Sequence, residues 1–453
     1  MALVEKNKNY TMDITGMTHE GQGVGRIEGF TVFVDDALEG ERADVRIIKR
    51  NKNYAVGKLL RIWRDSPCRI EPFCGAYRRC GGCSLQHMDY GAQLEYKTGL
   101  VRESLKRIGG LDGVQVHPAI GMRNPMNYRN KAQYPVALVD GSPVAGFYAR
   151  RSHDVVDIEE CGIQDAAGDR IRKIVLRFIR EKGIPVYDEA TGAGLLRHVM
   201  TRTGFGTGEV MVVLVVNGDG IPHGKELTEL LVSEVPGLKS IFININRANT
   251  NVILGGRNIK VYGSDTIFDY IGDFKFHISP LSFFQVNPVQ TGVLYAKALE
   301  YAELKGTETV FDLYCGIGTI SLFLSQKAGK VYGVEVVEDA VRDAVRNAEL
   351  NGVTNAEFIT GEAERVIPEL YARGERADVV VVDPPRKGCD ETLLRTLADM
   401  TPERIVYVSC NPATLARDLK FLGGHGYRTV EAQPVDMFPW TGHTEAVILL
   451  QRL

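Results

Sequence analysis

The spacing of hydrophobic positions changes character along this chain. Over residues 10–62 it alternates with period two in short runs, at 10–14, 25–34, 42–48 and 55–60, broken by Gly, Asp and Asn turns. Five or so such strands predict a small barrel of the oligonucleotide-binding kind. Within 92–110, Leu94, Leu100, Val101, Leu105 and Ile108 fall at helical spacing and predict one amphipathic helix with a basic outer face. From about 127 to 270 strand signals dominate, at 131–136, 210–216 and 240–245, with one helix near 168–181. From 276 onward strands alternate with helices, at 310–313, 330–336, 357–360, 379–383 and 404–409, with a final pair near 428–450. That is the pattern of an α/β, doubly wound, mostly parallel sheet. The expected domains are a barrel over 1–62, a mixed central domain over 63–270 and an α/β domain over 271–453, with helix 92–110 packing on the last.

Composition narrows the class. The chain has 453 residues, 44% hydrophobic and 25% charged, as in ordinary soluble proteins. It has no apolar run of membrane-spanning length, and its first residues lack a signal-peptide core, so a cytoplasmic protein without membrane contact is expected. The net charge of -3 conceals an uneven distribution. Residues 42–107 hold 15 Lys or Arg against 6 Asp or Glu, a local balance of +9. A patch of that kind can neutralise nucleic-acid phosphates.

Eight cysteines in a reducing compartment call for explanations other than disulfides. Cys74, Cys80 and Cys83 form a Cys-x5-Cys-x2-Cys group, and Cys161 is the obvious remote fourth ligand. Zinc is the usual occupant of two Cys-x2-Cys pairs, but only one such pair exists here. Three clustered cysteines with a distant fourth suit a cubane iron–sulfur cluster at least as well. Cys68 is the spare.

The α/β region carries the candidate chemistry. Asp312-Leu313-Tyr314-Cys315-Gly316-Ile317-Gly318-Thr319 is a strand end, a glycine turn and a helix start, the form of a nucleotide cradle. Glu335 ends the next strand, at the distance where an acid can accept hydrogen bonds from ribose hydroxyls. The turn lacks both the full dinucleotide fingerprint and a P-loop lysine, so a ribose ligand without phosphates, such as S-adenosylmethionine, fits best. Asp383, before Pro384-Pro385-Arg386, and Cys410, before Asn411-Pro412, are expected on the same rim. Cys315 and Cys389 read as packing residues. Phe283-Phe284-Gln285-Val286-Asn287 combines aromatics and amides suited to a base or ligand, and Tyr128-Arg129-Asn130-Lys131 is a further basic patch.

Taken in order, Phe283-Phe284-Gln285-Val286-Asn287, the Asp312–Gly318 turn, Asp383-Pro384-Pro385-Arg386, Ser409-Cys410-Asn411-Pro412 and His443-Thr444-Glu445 resemble the bacterial RNA 5-methyluridine methyltransferases, most closely those acting on 23S ribosomal RNA. Residues Gly21 to Gly25, Val32 to Val34 and Gly40-Glu41 resemble the TRAM domain, an RNA-binding barrel. The resemblance covers essentially the whole chain. It implies a Rossmann-like S-adenosylmethionine domain preceded by a TRAM barrel and a central domain with a [4Fe–4S] cluster. It implies Cys410 as nucleophile, Glu445 as general base, and Gln285, Tyr314, Glu335 and Asp383 as S-adenosylmethionine contacts. Cys74, Cys80, Cys83 and Cys161 become cluster ligands. Phe283, Arg129 and Lys131 become contacts to RNA, ribosomal first and transfer RNA second, in a monomeric enzyme. Cytosine-5 methyltransferases also add a cysteine to C6, but the Cys410 and Glu445 pairing favours uracil.

Overall fold

The computed structural model describes residues 4–453, which build three sheets and a hairpin. Strands β1 (Asn9–Met17), β2 (Gly23–Ile27), β3 (Phe30–Val34), β4 (Arg42–Arg50) and β5 (Tyr54–Arg64) close into a barrel in the order β1-β2-β3-β5-β4. On β4 the period-two pattern buries Ala43, Val45 and Ile47 and turns Arg42, Arg46 and Ile48 to solvent. Trp63 stays 54% exposed, with the Arg61 guanidinium 3.8 Å from its ring centroid.

Helix α1 (Tyr90–Ser104) is capped by Asp89, which accepts from the Gly91 and Ala92 N–H groups, and runs into one π-helical turn, Leu105–Gly109. A two-residue strand, β6 (Gln115–Val116), follows. The central sheet then forms from β7 (Lys131–Val139), β8 (Ser142–Tyr148), β9 (Val155–Asp157), α2 (Ala166–Lys182), β10 (Leu196–Thr203), β11 (Val210–Val216), α3 (Gly224–Glu234), β12 (Leu238–Ile245) and β13 (Arg257–Gly263). Its order is β13-β12-β11-β10-β7-β8-β9. Tyr134, Val199 and Val212 pack on Ile171, Val175 and Phe178 of α2. Met200, Met211, Val213 and Phe242, on the opposite face, belong to the core of the C-terminal domain. One sheet thus serves two cores, because strand alternation gives it two apolar faces.

A hairpin, β14 (Ile267–Ile271) and β15 (Phe274–Ile278), opens the C-terminal domain. It begins at Ile267, so a boundary at 270/271 passes through it. Helix α4 (Pro288–Ala302) leads into β16 (Thr309–Leu313), α5 (Thr319–Ser325), β17 (Lys330–Glu335), α6 (Glu338–Leu350), β18 (Ala356–Thr360), α7 (Ala363–Ala372), β19 (Val379–Val382), α8 (Glu391–Met400), β20 (Arg404–Ser409), α9 (Pro412–Gly423), β21 (Tyr427–Val435) and β22 (Glu445–Arg452). The sheet order is β18-β17-β16-β19-β20-β22-β21-β6. Strands β16 to β20 are parallel, and β22 runs antiparallel to both its neighbours.

Helix α1 departs from its expected pattern. It buries Gln93, Lys97, Thr98 and Val101, while Ile108 is exposed. Its partner explains this: the N-terminal half meets the loop after β21, whose carbonyls and carboxylate need polar neighbours, and only Val101 and Leu105 join the apolar core of the sheet. Among the described residues no helix is long and apolar enough to cross a membrane.

Candidate active site

The strand order of the C-terminal sheet reverses between β16 and β19, and ligands of such sheets bind beyond the carboxyl ends at that point. Asp312, Glu335, Asp383 and Cys410 lie at or just past the carboxyl ends of β16, β17, β19 and β20. Because β22 is antiparallel, its first residue, Glu445, stands on the same rim. Ser409 pairs with Ala446, so one further step along the ladder sets Cys410 across from Glu445.

The glycine turn is shaped by three left-handed residues, Tyr314 (φ 65°), Gly316 (φ 56°) and Gly318 (φ 79°). A Cβ on Gly318 would come within 3.0 Å of the Phe358 ring, so the turn needs glycine there for space as well as conformation. Glu335 ties the turn to β17, accepting the Gly316 N–H at 3.1 Å and the Val337 N–H at 2.9 Å. Tyr314 donates its hydroxyl to Glu364 at 2.8 Å. Tyr314, Glu335, Gly361, Glu364 and Lys387 line a cavity of about 480 Å³. Gln285 and Asp383 lie outside its wall. Gln285 sits on the loop before α4, where its carbonyl accepts from the Asn130 side chain at 3.0 Å. On the same loop Phe283 is 67% exposed, whereas Phe284 is core.

Of the four carboxyls on the rim, three are shifted upward. Burial pushes Asp312 up to about 7, with Asp383 and Glu335 adding to the rise and Ser321 opposing it. Asp383 also rises to about 7 through burial. Glu445 rises to about 8, through burial first and Asp383 second, while Arg386 opposes the shift. The Ser321 hydroxyl donates to Asp312 Oδ2, but Asp312 Oδ1 is buried without a partner. A buried, unpaired carboxylate oxygen beside two further raised acids favours a cationic ligand, as the sulfonium and ammonium of S-adenosylmethionine would be. Burial raises the half-buried Cys410 thiol too, helped by Glu445 and Asp383 and opposed by Arg386. Arg386 is therefore a countercharge to both Cys410 and Glu445. Its place after Asp383-Pro384-Pro385 was visible in the sequence, but its role was not.

Cys74, Cys80, Cys83 and Cys161 line one cavity of about 270 Å³, together with Arg129 and His443. Burial lifts the Cys83 thiol to about 12 and Cys161 to about 11, and neighbouring thiols of the group add to both shifts. Among the described residues no three His, Cys, Asp or Glu side chains converge as the ligands of a single ion do. Cys68 lies elsewhere, against Leu38, Leu85 and Met88, and Cys315 and Cys389 are buried in the α/β domain.

The loop from Asp436 to Thr444, which delivers Glu445, is held from several directions. Trp440 donates its backbone N–H to the Gln93 side chain and its indole N–H to the Pro125 carbonyl, and accepts from the Ser84 and Leu85 N–H groups. Tyr128 donates to the Pro439 carbonyl, and Ser84 accepts the Gly442 N–H at 3.0 Å. The barrel closes on the same loop: a Cβ at Gly442 would lie 2.8 Å from the His19 carbonyl. Arg129 lies over Phe438, its guanidinium 5.9 Å from the ring centroid.

This geometry has relatives. A family profile described as tRNA (Uracil-5-)-methyltransferase matches residues 270–453, and one described as TRAM domain matches residues 4–60. An RNA methyltransferase of Clostridium tetani is 55% identical over 447 residues, covering 99% of this chain and 97% of the relative. Another, from Caldanaerobacter subterraneus subsp. tengcongensis, is 53% identical over 453 residues and covers 100% of both chains. The tRNA (uracil-54, C5)-methyltransferase of Pyrococcus abyssi, solved in complex with S-adenosyl-L-homocysteine, is 30% identical with a TM-score of 0.79, covering 97% of this chain and 100% of that one. Fold, rim and likeness together define an S-adenosylmethionine-dependent RNA methyltransferase. The chain belongs to the uracil-5 family of these enzymes, with a TRAM domain as its N-terminal barrel.

Proposed function

We propose that the chain methylates C5 of a uridine in 23S ribosomal RNA through a covalent adduct between Cys410 and C6. The observation that carries this reading is the ladder register that brings Cys410 opposite Glu445 on the rim beside Asp383. Uracil C5 is a poor nucleophile. Cys410 attacks as the thiolate, having given its proton to solvent; Sγ bonds to C6, and the electrons of the C5–C6 double bond move to C5 and O4 as an enolate. S-adenosylmethionine supplies an electrophilic methyl group and leaves as the thioether. C5 takes that methyl while the sulfur keeps the electron pair of the broken bond. The Glu445 carboxylate removes the C5 proton, the double bond re-forms, and the C6–S bond breaks to return the Cys410 thiolate. Gln285, Tyr314, Glu335 and Asp383 hold the donor. Phe283, Arg129 and Lys131 grip the RNA, whose target base must leave its stack to reach the rim.

Transfer RNA is the second reading, favoured by the likeness to the Pyrococcus abyssi tRNA enzyme. Mapping 5-methyluridine by mass analysis in ribosomal and transfer RNA from cells lacking the protein decides between them. Loss from transfer RNA alone rejects the ribosomal target, and loss of 5-methylcytidine instead rejects uracil chemistry. The proposed enzyme is cytoplasmic and monomeric. Cys74, Cys80, Cys83 and Cys161 would hold a [4Fe–4S] cluster. Methyl transfer needs no electron, so the cluster's contribution is to fix the segment that clasps the loop before Glu445.

A further inference from the structure

The turn after β19 that carries Arg386 is held through its main chain by side chains of α9. The Arg386 carbonyl accepts from Asn411 Nδ2 at 3.0 Å and from Thr414 Oγ1 at 3.1 Å. Arg417 Nη2 donates to the Lys387 and Cys389 carbonyls at 3.0 Å and 3.3 Å, and Asp418 Oδ2 accepts the Cys389 N–H at 2.8 Å. Arg417 Nε donates in turn to Asp418 Oδ1 at 2.8 Å, and the Tyr407 hydroxyl donates to Asp418 Oδ2 at 2.7 Å. Gly388 lets the two segments meet. Its φ is 80°, and a Cβ there would stand 2.5 Å from Arg417 Nη2 and 2.6 Å from Asp418 Oδ2.

Helix α9 is also the helix that starts at the nucleophile. Asn411, the residue after Cys410, caps it by accepting the Ala413 N–H at 3.0 Å, and Tyr407 stands three residues before Cys410 on β20. The turn and Cys410 are thus fastened to one body. The Arg386 side chain itself is exposed, and a long exposed side chain samples many rotamers. A fixed main chain limits where its guanidinium can reach. That placement matters electrostatically: Glu445 from β22 and Asp383 from the end of β19 oppose a Cys410 thiolate, and Arg386 from this turn favours one.

We propose that Arg417 and Asp418 are positioning residues for the nucleophile: with Thr414 they set the turn so that the Arg386 guanidinium stays beside Cys410. Arg417 acts through Arg386, not on the reacting atoms. The attraction between a cation and a thiolate weakens with distance, so a turn that drifts from α9 leaves the thiol form favoured. The inference rests on Cys410 as the attacking group, as given above. The alternative task for the clamp is to shape the cavity beside Glu335, whose wall includes Pro385 and Lys387, and the test separates the two.

The rate of iodoacetamide alkylation at Cys410 is followed against pH in the full-length protein, with the modified peptide identified by mass analysis. Arg417→Ala and Thr414→Val should each raise the midpoint of that profile. A rise of about half a unit lowers the rate at neutral pH roughly threefold, because the thiolate fraction falls about tenfold per unit. Thr414→Val loosens the same turn if Arg417→Ala fails to fold. Arg386→Met should raise the midpoint at least as far, and Arg417→Ala added to it should raise it no further. Unchanged midpoints in the folded clamp variants, or an equal shift from Arg417→Ala in the Arg386→Met background, overturn the proposal. Unchanged midpoints with weakened S-adenosylmethionine binding, read by calorimetry, assign the clamp to the cavity beside Glu335 instead. The profile needs no RNA, so it is separate from trapping with 5-fluorouridine RNA, whose failure in the wild type strikes the role of Cys410 and leaves the profile standing.

Discussion

The Lys97 ammonium lies 2.5 Å from the Asp436 carboxylate, and neither side chain retains any solvent exposure. Lys97 also donates to the Phe438 carbonyl at 3.0 Å, and Tyr90 donates to the other Asp436 oxygen at 2.9 Å. Burial drives the Lys97 pKa down while Asp436 drives it up. The pair pins α1 to the start of the loop that ends at Glu445, across 339 residues of sequence.

Removing one member of such a pair leaves the other charge buried and unpaired. Lys97→Met should cost about 3–5 kcal/mol of stability, and the double variant Lys97→Met with Asp436→Asn should cost less than the single. Denaturant unfolding of the three proteins reads this. A double variant that is less stable than Lys97→Met would show that Asp436 stabilises the fold through groups other than Lys97.

Glu335 bridges the glycine turn and β17 through two accepted hydrogen bonds, and its carboxylate borders the 480 Å³ cavity. Glu335→Ala should weaken S-adenosylmethionine binding by roughly 1.5–3 kcal/mol, the range for hydrogen bonds to a charged group. Unchanged affinity in calorimetry removes Glu335 from the donor site.

The raised carboxyls give a pH signature. Asp312 and Asp383 at about 7 and Glu445 at about 8 hold protons that the unfolded chain has already lost, so the free enzyme should lose stability as pH rises from about 4 to about 8. A permanently cationic ligand favours the ionised carboxyls and must expel those protons when it binds at lower pH. Affinity for S-adenosylmethionine should therefore rise between pH 6 and 8, by up to about tenfold per unit for each proton released, and affinity for the uncharged S-adenosylhomocysteine sulfur should rise less. Parallel pH profiles for the two ligands would place the sulfonium away from these acids.

Anaerobically purified protein should be brown and carry about four irons per chain. Cys161→Ser should lose the iron while leaving S-adenosylmethionine affinity nearly intact, because the thiol cavity and the cavity beside Glu335 share no wall residue. Cys68→Ser should keep its iron, since Cys68 packs with Leu38 and Leu85. Zinc in place of iron, or iron loss in Cys68→Ser, contradicts this ligand set.

The sequence exposed whatever is local. Period-two runs announced the barrel, the glycine turn announced the cradle, and the alternation of strands with helices announced the parallel sheet. Asp312, Glu335 and Asp383 were legible because each closes an apolar run, whereas Glu445 opens one and was singled out by the family resemblance. The rest depends on contacts that sequence spacing does not encode. Strand β6 has only two residues, too few to show a period. Lys97 looked like part of a basic outer face, and only a carboxylate from the far end of the chain makes it an inward residue. Arg202 fell outside the strand runs read at 131–136, 210–216 and 240–245, and only the ladder sets it opposite Lys131. Tyr314 was expected to touch the donor, but its hydrogen bond to Glu364 needed the turn of α7 to be placed.

Replacing the base separates addition from elimination. Glu445→Gln should still add Cys410 to the ring and accept the methyl, but should accumulate the methylated adduct on ordinary RNA. Product release at the wild-type rate would put the base elsewhere.

The covalent adduct itself is the central claim, and 5-fluorouridine RNA tests it most directly. With S-adenosylmethionine present, the wild-type protein should form a complex that survives denaturing electrophoresis, because fluorine at C5 cannot leave as a proton and elimination stalls. Mass analysis should place the modified base on Cys410, with methyl and fluorine both retained, and Cys410→Ala should form none. A complex of normal yield in Cys410→Ala, or no complex from a wild-type enzyme that methylates ordinary uridine, contradicts the mechanism.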